Sequence, residues 1–107
     1  MFKISGTKII ITRGDTGIFD LPIEDYILAD GDTVYFTVKK SLASTEKIIQ
    51  KVITTFNRNG SAQIELLSTD TDIDPGNYIY DVRVDLSGGI KDTIVGPSQF
   101  KILEGVS

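Results

Sequence analysis

The sequence contains no cysteine, no histidine and no tryptophan, and these absences exclude several kinds of chemistry. Without cysteine, the chain has no disulfide, no thiol nucleophile and no thiolate ligand for a metal. Without histidine, it lacks the side chain that most often carries general acid–base chemistry near neutral pH. We therefore expect a protein that is not an enzyme and that has no catalytic residues and no cofactor.

Basic residues and long apolar runs are also scarce. Lysine and arginine total 11 against 15 acidic residues, which gives a formal charge of −4. A chain with this balance and no basic cluster is a poor candidate for nucleic-acid binding. The longest aliphatic run, Ile9-Ile10-Ile11, is too short for a membrane span or a secretory signal. We expect no membrane partner, and synthesis in the cytoplasm without an export signal.

The remaining composition is typical of a small globular protein. The 107 residues are 40% hydrophobic and 24% charged, which predicts one domain over residues 1–107, with its core within about residues 2–103. No segment shows a sustained helical period. Apolar and polar residues instead alternate in short runs that are separated by glycine, aspartate, asparagine and proline, a pattern typical of strands and turns.

The clearest alternation lies in residues 78–86, where Tyr78, Tyr80, Val82, Val84 and Leu86 share one face. Residues 33–39 and 62–66 repeat this pattern. Further strands are predicted at residues 2–5, 8–12, 17–23, 47–56, 91–95 and 99–103, with Gly96-Pro97 interrupting the last two. Short strands at this spacing predict an all-β fold, namely a single antiparallel β-sandwich of immunoglobulin-like type with about eight short strands.

Two sequence motifs suggest binding, but each is explained more simply as a turn. Arg13-Gly14-Asp15 is a tripeptide that some extracellular ligands present to integrins, yet a glycine beside an aspartate also forms an ordinary turn. Asp70, Asp72 and Asp74 alternate as in calcium loops, and they form the candidate metal cluster. The glycine expected at the sixth position is replaced by Pro75, which favours a polar turn over a calcium site.

Paired carboxylates and two tyrosines complete the set of candidate residues. The pairs Glu24-Asp25, Asp30/Asp32 and Asp81/Asp85 have the composition for acid–base work, but no pattern in the sequence indicates that any pair is buried. Tyr78 and Tyr80 follow a Pro-Gly turn, which is the setting of a tyrosine corner in Greek-key sandwiches. We predict that both rings pack in the core.

Four segments together resemble a known family. They are the RGDT turn after an aliphatic strand, GDTVYFTVKK, the PG-x-Y-x-YDV run, and a closing PS-x-F-x-I. In their order and spacing they are similar to the N-terminal modules of upper-baseplate proteins, and to related small virion proteins, of tailed phages and prophages of Gram-positive bacteria. The resemblance covers residues 2 to about 103.

The resemblance implies a non-enzymatic structural protein of a phage or prophage particle, located in the tail, baseplate or head. Its partners would be other virion proteins, including copies of itself, and residues 2–5 would form an edge or exchangeable strand. Lys39, Lys40, Lys47 and Lys51 could steer such contacts or simply be solvated. The alternative is a carbohydrate-binding or host-surface adhesion module, for which Tyr26 and Tyr35 are the tyrosines expected to be exposed.

Overall fold

The computed structural model describes residues 2–21, 26–58 and 60–105. In these parts of the chain, eight strands and one short helix follow one another. They are β1 (Phe2–Ser5), β2 (Lys8–Thr12), β3 (Gly17–Leu21), β4 (Thr33–Lys39), β5 (Ile49–Ile53), β6 (Ala62–Leu66), α1 (Ser68–Thr71), β7 (Gly76–Asp85) and β8 (Lys91–Leu103). The predicted all-β class is confirmed.

The strands form a six-stranded sheet and a two-stranded sheet. The order is β1-β2-β8-β7-β4-β5 in the first and β3-β6 in the second. The larger sheet is mixed, because β2 and β8 run parallel while its other neighbouring strands are antiparallel. The prediction of a purely antiparallel fold is therefore wrong. A parallel pair needs a long connection, and here most of the chain lies between the two strands.

β8 is one continuous strand, and the predicted interruption at Gly96-Pro97 is also wrong. Tyr80 pairs with Ser98 and Val82 pairs with Val95, so that Asp81 alone faces Gly96 and Pro97. Such a β-bulge leaves part of the ladder unpaired and thereby accommodates a proline that has no N–H to donate. The strand pairing shifts in register at Pro97, and β8 continues beyond it.

Both sheets contribute to one hydrophobic core. Phe19 of β3 meets Phe36 of β4 with ring centroids 6.0 Å apart, and Phe36 also lies 5.2 Å from the ring of Tyr80. The inward positions predicted on β4, β6 and β7 are buried, namely Val34, Phe36, Val38, Ala62, Ile64, Leu66, Tyr78, Tyr80, Val82 and Val84. The period of two therefore assigns the buried face of these strands correctly.

Candidate functional site

Tyr78 and Tyr80 enter the core from β7, and each hydroxyl bonds to backbone. The Tyr78 hydroxyl donates to the carbonyl oxygen of Asp74, four residues upstream, at 2.6 Å, which matches the geometry of a tyrosine corner. The Tyr80 hydroxyl donates to the carbonyl oxygen of Thr7. Burial raises the pKa of both hydroxyls. The prediction that both rings pack in the core is confirmed.

The Arg13-Gly14-Asp15 segment is a turn that is fastened to the α1 region. Gly14 has a φ of +82°, which glycine adopts without strain. The Arg13 Nε donates to Asp72 Oδ1 at 3.0 Å, and the Gly14 N–H donates to the carbonyl oxygen of Thr71 at 3.4 Å. The turn interpretation is confirmed, and the arginine is engaged within the chain.

The structure places the three carboxylates of the candidate metal cluster in different surroundings. Asp70 accepts the N–H of Leu67 at 2.8 Å and pairs with the Lys51 Nζ at 2.5 Å. Asp72 pairs with Arg13, while Asp74 is exposed. Among the described residues, no three acidic side chains come together in a group that could hold a metal ion.

One carboxylate from the predicted pairs is buried. Asp32 accepts backbone N–H groups from Ala29 at 3.0 Å and from Ser87 at 2.9 Å. These two hydrogen bonds hold the pKa of Asp32 below its usual value. A lowered pKa is the opposite of what a general acid near neutral pH requires, so Asp32 joins two loops structurally. Glu24 and Asp25 lie outside the described residues.

Neither tyrosine of the adhesion hypothesis is fully exposed. Tyr26 is half-buried against the core, and its hydroxyl donates to Asp92 Oδ2 at 2.9 Å. Tyr35 is half-buried on the outer face of β4, with the guanidinium carbon of Arg83 4.9 Å from its ring centroid. The expected exposure is therefore wrong, because a long-range hydrogen bond holds one ring and a cross-strand cation covers the other.

One side of the molecule presents unpaired strand edges. Within the described strands, β1 pairs with β2 alone and β3 pairs with β6 alone. Phe2 of β1 stacks on Phe19 of β3 with ring centroids 5.7 Å apart, so the two strands lie on the same side of the core. Ile4 faces inward opposite Ile9 yet stays 42% exposed, because no further described strand covers β1. We call the unpaired side of β1 (Phe2–Ser5), together with its inward-facing side chains Phe2 and Ile4, the β1 edge.

The opposite side of the molecule is closed by an ion pair. There, β5 and β6 lie near one another. Lys51 of β5, the partner of Asp70 in α1, is half-buried. Inward-pointing charges on an edge strand disfavour pairing with another chain. The four lysines singled out in the sequence therefore do not form one patch, since Lys51 faces away from Lys39 and Lys47.

The outer face of β4, β5 and β7 carries a polar groove of about 390 Å³. We call it the outer groove. The sequence does not reveal this groove. Its residues come from three strands and a loop, and the alternation of polar and apolar residues does not specify which strands pair. Its lining residues are Tyr35, Thr37, Lys39, Lys47, Gln50, Asp81 and Arg83.

Comparison with known proteins identifies no relative. No family model matches the chain, and neither the curated proteins nor the solved structures contain a match. Within residues 2–21, 26–58 and 60–105, no helix has the length and apolar character required to cross a membrane. The geometry of the β1 edge and of the outer groove therefore carries the functional argument.

Proposed function

We propose that this chain is a non-enzymatic structural protein of a phage or prophage particle, in the tail, baseplate or head, and that it works by protein–protein assembly. It would fold as an immunoglobulin-like β-sandwich and reside in the virion. The single observation that carries the proposal is the β1 edge, where a strand of the six-stranded sheet has one neighbour among the described strands. Its partners would be other virion proteins, of which a second copy is the simplest.

Backbone chemistry supports assembly at this edge. An edge strand presents N–H and C=O groups that another strand can pair with, and a neighbouring chain gains main-chain hydrogen bonds by doing so. Two copies that pair β1 with β1 antiparallel would form an isologous, closed dimer. The inward-facing Ile4 would then lose solvent exposure, which is favourable for an apolar side chain.

The difference between the two sides of the molecule also supports this choice of surface. The β5 side carries the half-buried pair of Lys51 and Asp70, whereas the inward face of β1 carries Phe2 and Ile4 and no charge. Charge at one edge and apolar surface at the other favour association through the apolar edge. Each chain would thus associate through one edge only, and assembly through β1 would stop at the dimer.

The non-enzymatic part of the proposal rests on the residue inventory and on Asp32. The chain has no histidine or cysteine. Among the described residues, the buried carboxylate is that of Asp32, and two backbone N–H groups favour its charged form. The charged form accepts hydrogen bonds and cannot donate a proton at neutral pH.

The solution mass tests the proposal. Light scattering across a dilution series is expected to show a species of twice the 11.7 kDa chain mass, which gives way to the chain mass only at the lowest concentrations. The variant Ile4→Lys is expected to return the protein to monomer, because it places an inward-pointing charge on the edge strand.

Val52→Lys is the matched control. Val52 is also an exposed aliphatic strand residue, 54% exposed, but it lies on β5 at the other edge of the sheet. This variant should keep the wild-type mass. A monomer at every wild-type concentration, or a dimer that tolerates Ile4→Lys, would refute assembly through the β1 edge.

A further inference from the structure

The outer groove concentrates positive charge in a chain that is acidic overall. Three of its seven lining side chains are cationic, and one is a carboxylate, while the whole chain carries a formal charge of −4. Lys39 lies at the end of β4, and Lys47 comes from the loop before β5. A groove with a local excess of cations attracts a ligand that carries carboxylate, sulfate or phosphate groups.

A row of hydrogen-bonding groups crosses the floor of the groove. Gln50 of β5, Thr37 of β4 and Asp81 of β7 are directly opposite one another in the strand register. The Gln50 amide nitrogen donates to the Thr37 hydroxyl at 3.3 Å. Amide, hydroxyl and carboxylate together offer donors and acceptors within one row. Sugar hydroxyls, which both donate and accept, match such a row.

An aromatic ring forms one end of the groove. Tyr35 lies between Val52 and Arg83 in the strand register, and the Arg83 guanidinium lies over its ring. The same guanidinium pairs with Asp85, with its Nε 3.1 Å from Oδ1. This contact fixes the arginine over the ring, where it can meet an anionic group on a ligand.

An apolar recess continues the groove at its other end. A small cavity of about 50 Å³ shares Thr37, Lys39 and Asp81 with the groove and adds Leu42, Ile79, Tyr80 and Pro97. Leu42 is 74% exposed, so its side chain is available for contact. The apolar face of a sugar ring can pack against such a surface.

The position of the groove favours a saccharide over a peptide. An extended peptide gains most from an unpaired strand edge, where it adds main-chain hydrogen bonds. The floor of the outer groove is formed by the side chains of β5, β4 and β7, whose backbones pair with one another. A ligand there meets side chains, whose amide, hydroxyl and charged groups can bond to the hydroxyls and carboxylates of a sugar.

We infer that the outer groove binds an acidic saccharide, a sugar chain that carries carboxylates, through the cations Lys39, Lys47 and Arg83 and the polar row of Gln50, Thr37 and Asp81. The inference does not depend on assembly through β1. That strand lies at the far end of the six-stranded sheet from β5, so a dimer formed there would leave the groove open.

Calorimetric titration with oligogalacturonate, a chain of carboxylated sugars, tests the inference. The wild-type protein should bind it, and neutral dextran of matched length should bind at least tenfold more weakly. The double variant Lys39→Gln/Lys47→Gln should lose about tenfold or more in affinity, the effect of removing hydrogen bonds to charged groups. Tyr35→Ala should also weaken binding, because it removes the ring over which Arg83 lies, and circular dichroism would confirm that each variant is folded.

Arg58→Gln/Lys91→Gln is the matched control. It removes the same charge from exposed basic residues that lie outside both the groove and β1 and should bind as the wild type does. Equal weakening in this control would overturn the inference in favour of non-specific attraction. Tighter binding of a poly-glutamate peptide would replace the saccharide with an acidic peptide, and no binding of oligogalacturonate would refute the site. None of these results bears on the solution mass that tests the β1 edge.

Discussion

The hydroxyl of Tyr78 links a buried aromatic ring to the turn that precedes β7. Because its partner is the carbonyl oxygen of Asp74, Tyr78→Phe leaves that acceptor without its bond while the ring stays in place. We expect the free energy of unfolding to fall by about 1 kcal/mol, the usual contribution of such a hydrogen bond. Urea denaturation with unchanged m-value would measure it.

Tyr35→Phe is the control for that substitution, since the Tyr35 hydroxyl has no hydrogen-bond partner in the part of the chain that the structure describes. It should cost clearly less than Tyr78→Phe. Equal costs for the two variants would show that the tyrosine-corner bond does not contribute to stability.

The carboxylate of Asp32 makes the free energy of unfolding depend on pH. Its pKa in the folded chain lies below the ordinary value of 3.8, so its contribution is complete above that value and is lost as the pH falls through the folded pKa. Asp32→Asn should therefore be less stable than wild type at neutral pH and should lose less stability between about pH 5 and pH 2. Urea denaturation at a series of pH values measures both effects.

Asp30→Asn serves as the matched control for acid dependence. Asp30 is exposed and makes neither of the two backbone bonds that hold Asp32. If Asp32→Asn followed the wild-type stability curve in acid, the two N–H bonds would not be the source of the lowered pKa.

At the scale of the strand, a glycine sets the distance between β1 and β3. A Cβ built on Gly17 would lie 2.8 Å from Cδ1 of Phe2, which is too close for two carbon atoms, so Gly17→Ala must displace the Phe2 ring. We expect a loss of about 1–2 kcal/mol, as overpacking usually causes, with faster hydrogen exchange confined to β1.

Gly88→Ala makes the same chemical change where a Cβ has open space, so it should alter stability by no more than about 0.5 kcal/mol. Slower or unchanged exchange in β1 of the Gly17→Ala protein would contradict the contact between Phe2 and β3.

Strand alternation predicted some elements almost exactly and left others undetermined. Residues 33–39 and 62–66 became β4 and β6 with unchanged bounds, because one buried face fixes a period of two over a short run. The same pattern contains no information on the direction of a neighbouring strand, so the parallel pairing of β2 with β8 was missed. The alternation pattern also does not show that a β-bulge accommodates Pro97 within β8.

The candidate sites were predictable only where the interaction is local. The tyrosine corner joins residues four apart in the sequence, and the Arg13-Gly14-Asp15 turn contains a local bond from the Asp15 N–H to the carbonyl oxygen of Thr12. By contrast, the hydrogen bond from Tyr26 to Asp92 spans 66 residues, and the outer groove joins strands that meet only through the sheet register. Contacts at such separation depend on tertiary pairing that a single sequence does not specify.

For the whole molecule, the two sides of the core differ in the surfaces that they present. The β5 side carries the half-buried ion pair of Lys51 and Asp70, while the inward face of β1 carries Phe2 and Ile4 and no charge. Lys51→Val should therefore open a second surface and produce species larger than a dimer, because an edge strand loses its inward charge. Light scattering would detect them.

Lys101→Val is the control for this prediction, since Lys101 is also a half-buried strand lysine but lies on β8, which is paired on both sides. Introducing valine there should not produce the same larger species. A Lys51→Val protein with the wild-type mass would show that the ion pair does not protect the β5 side.

Hydrogen exchange at the β1 amides is the most direct test that β1 pairs with another chain. Exchange would be compared at protein concentrations well below and well above the dissociation constant of the dimer. Residues 86–90 of the β7–β8 turn serve as the internal reference. We expect the β1 amides not bonded to β2 to exchange more slowly at high concentration, while the exchange rates of the reference amides do not change. Equal exchange of the β1 amides at both concentrations would contradict it.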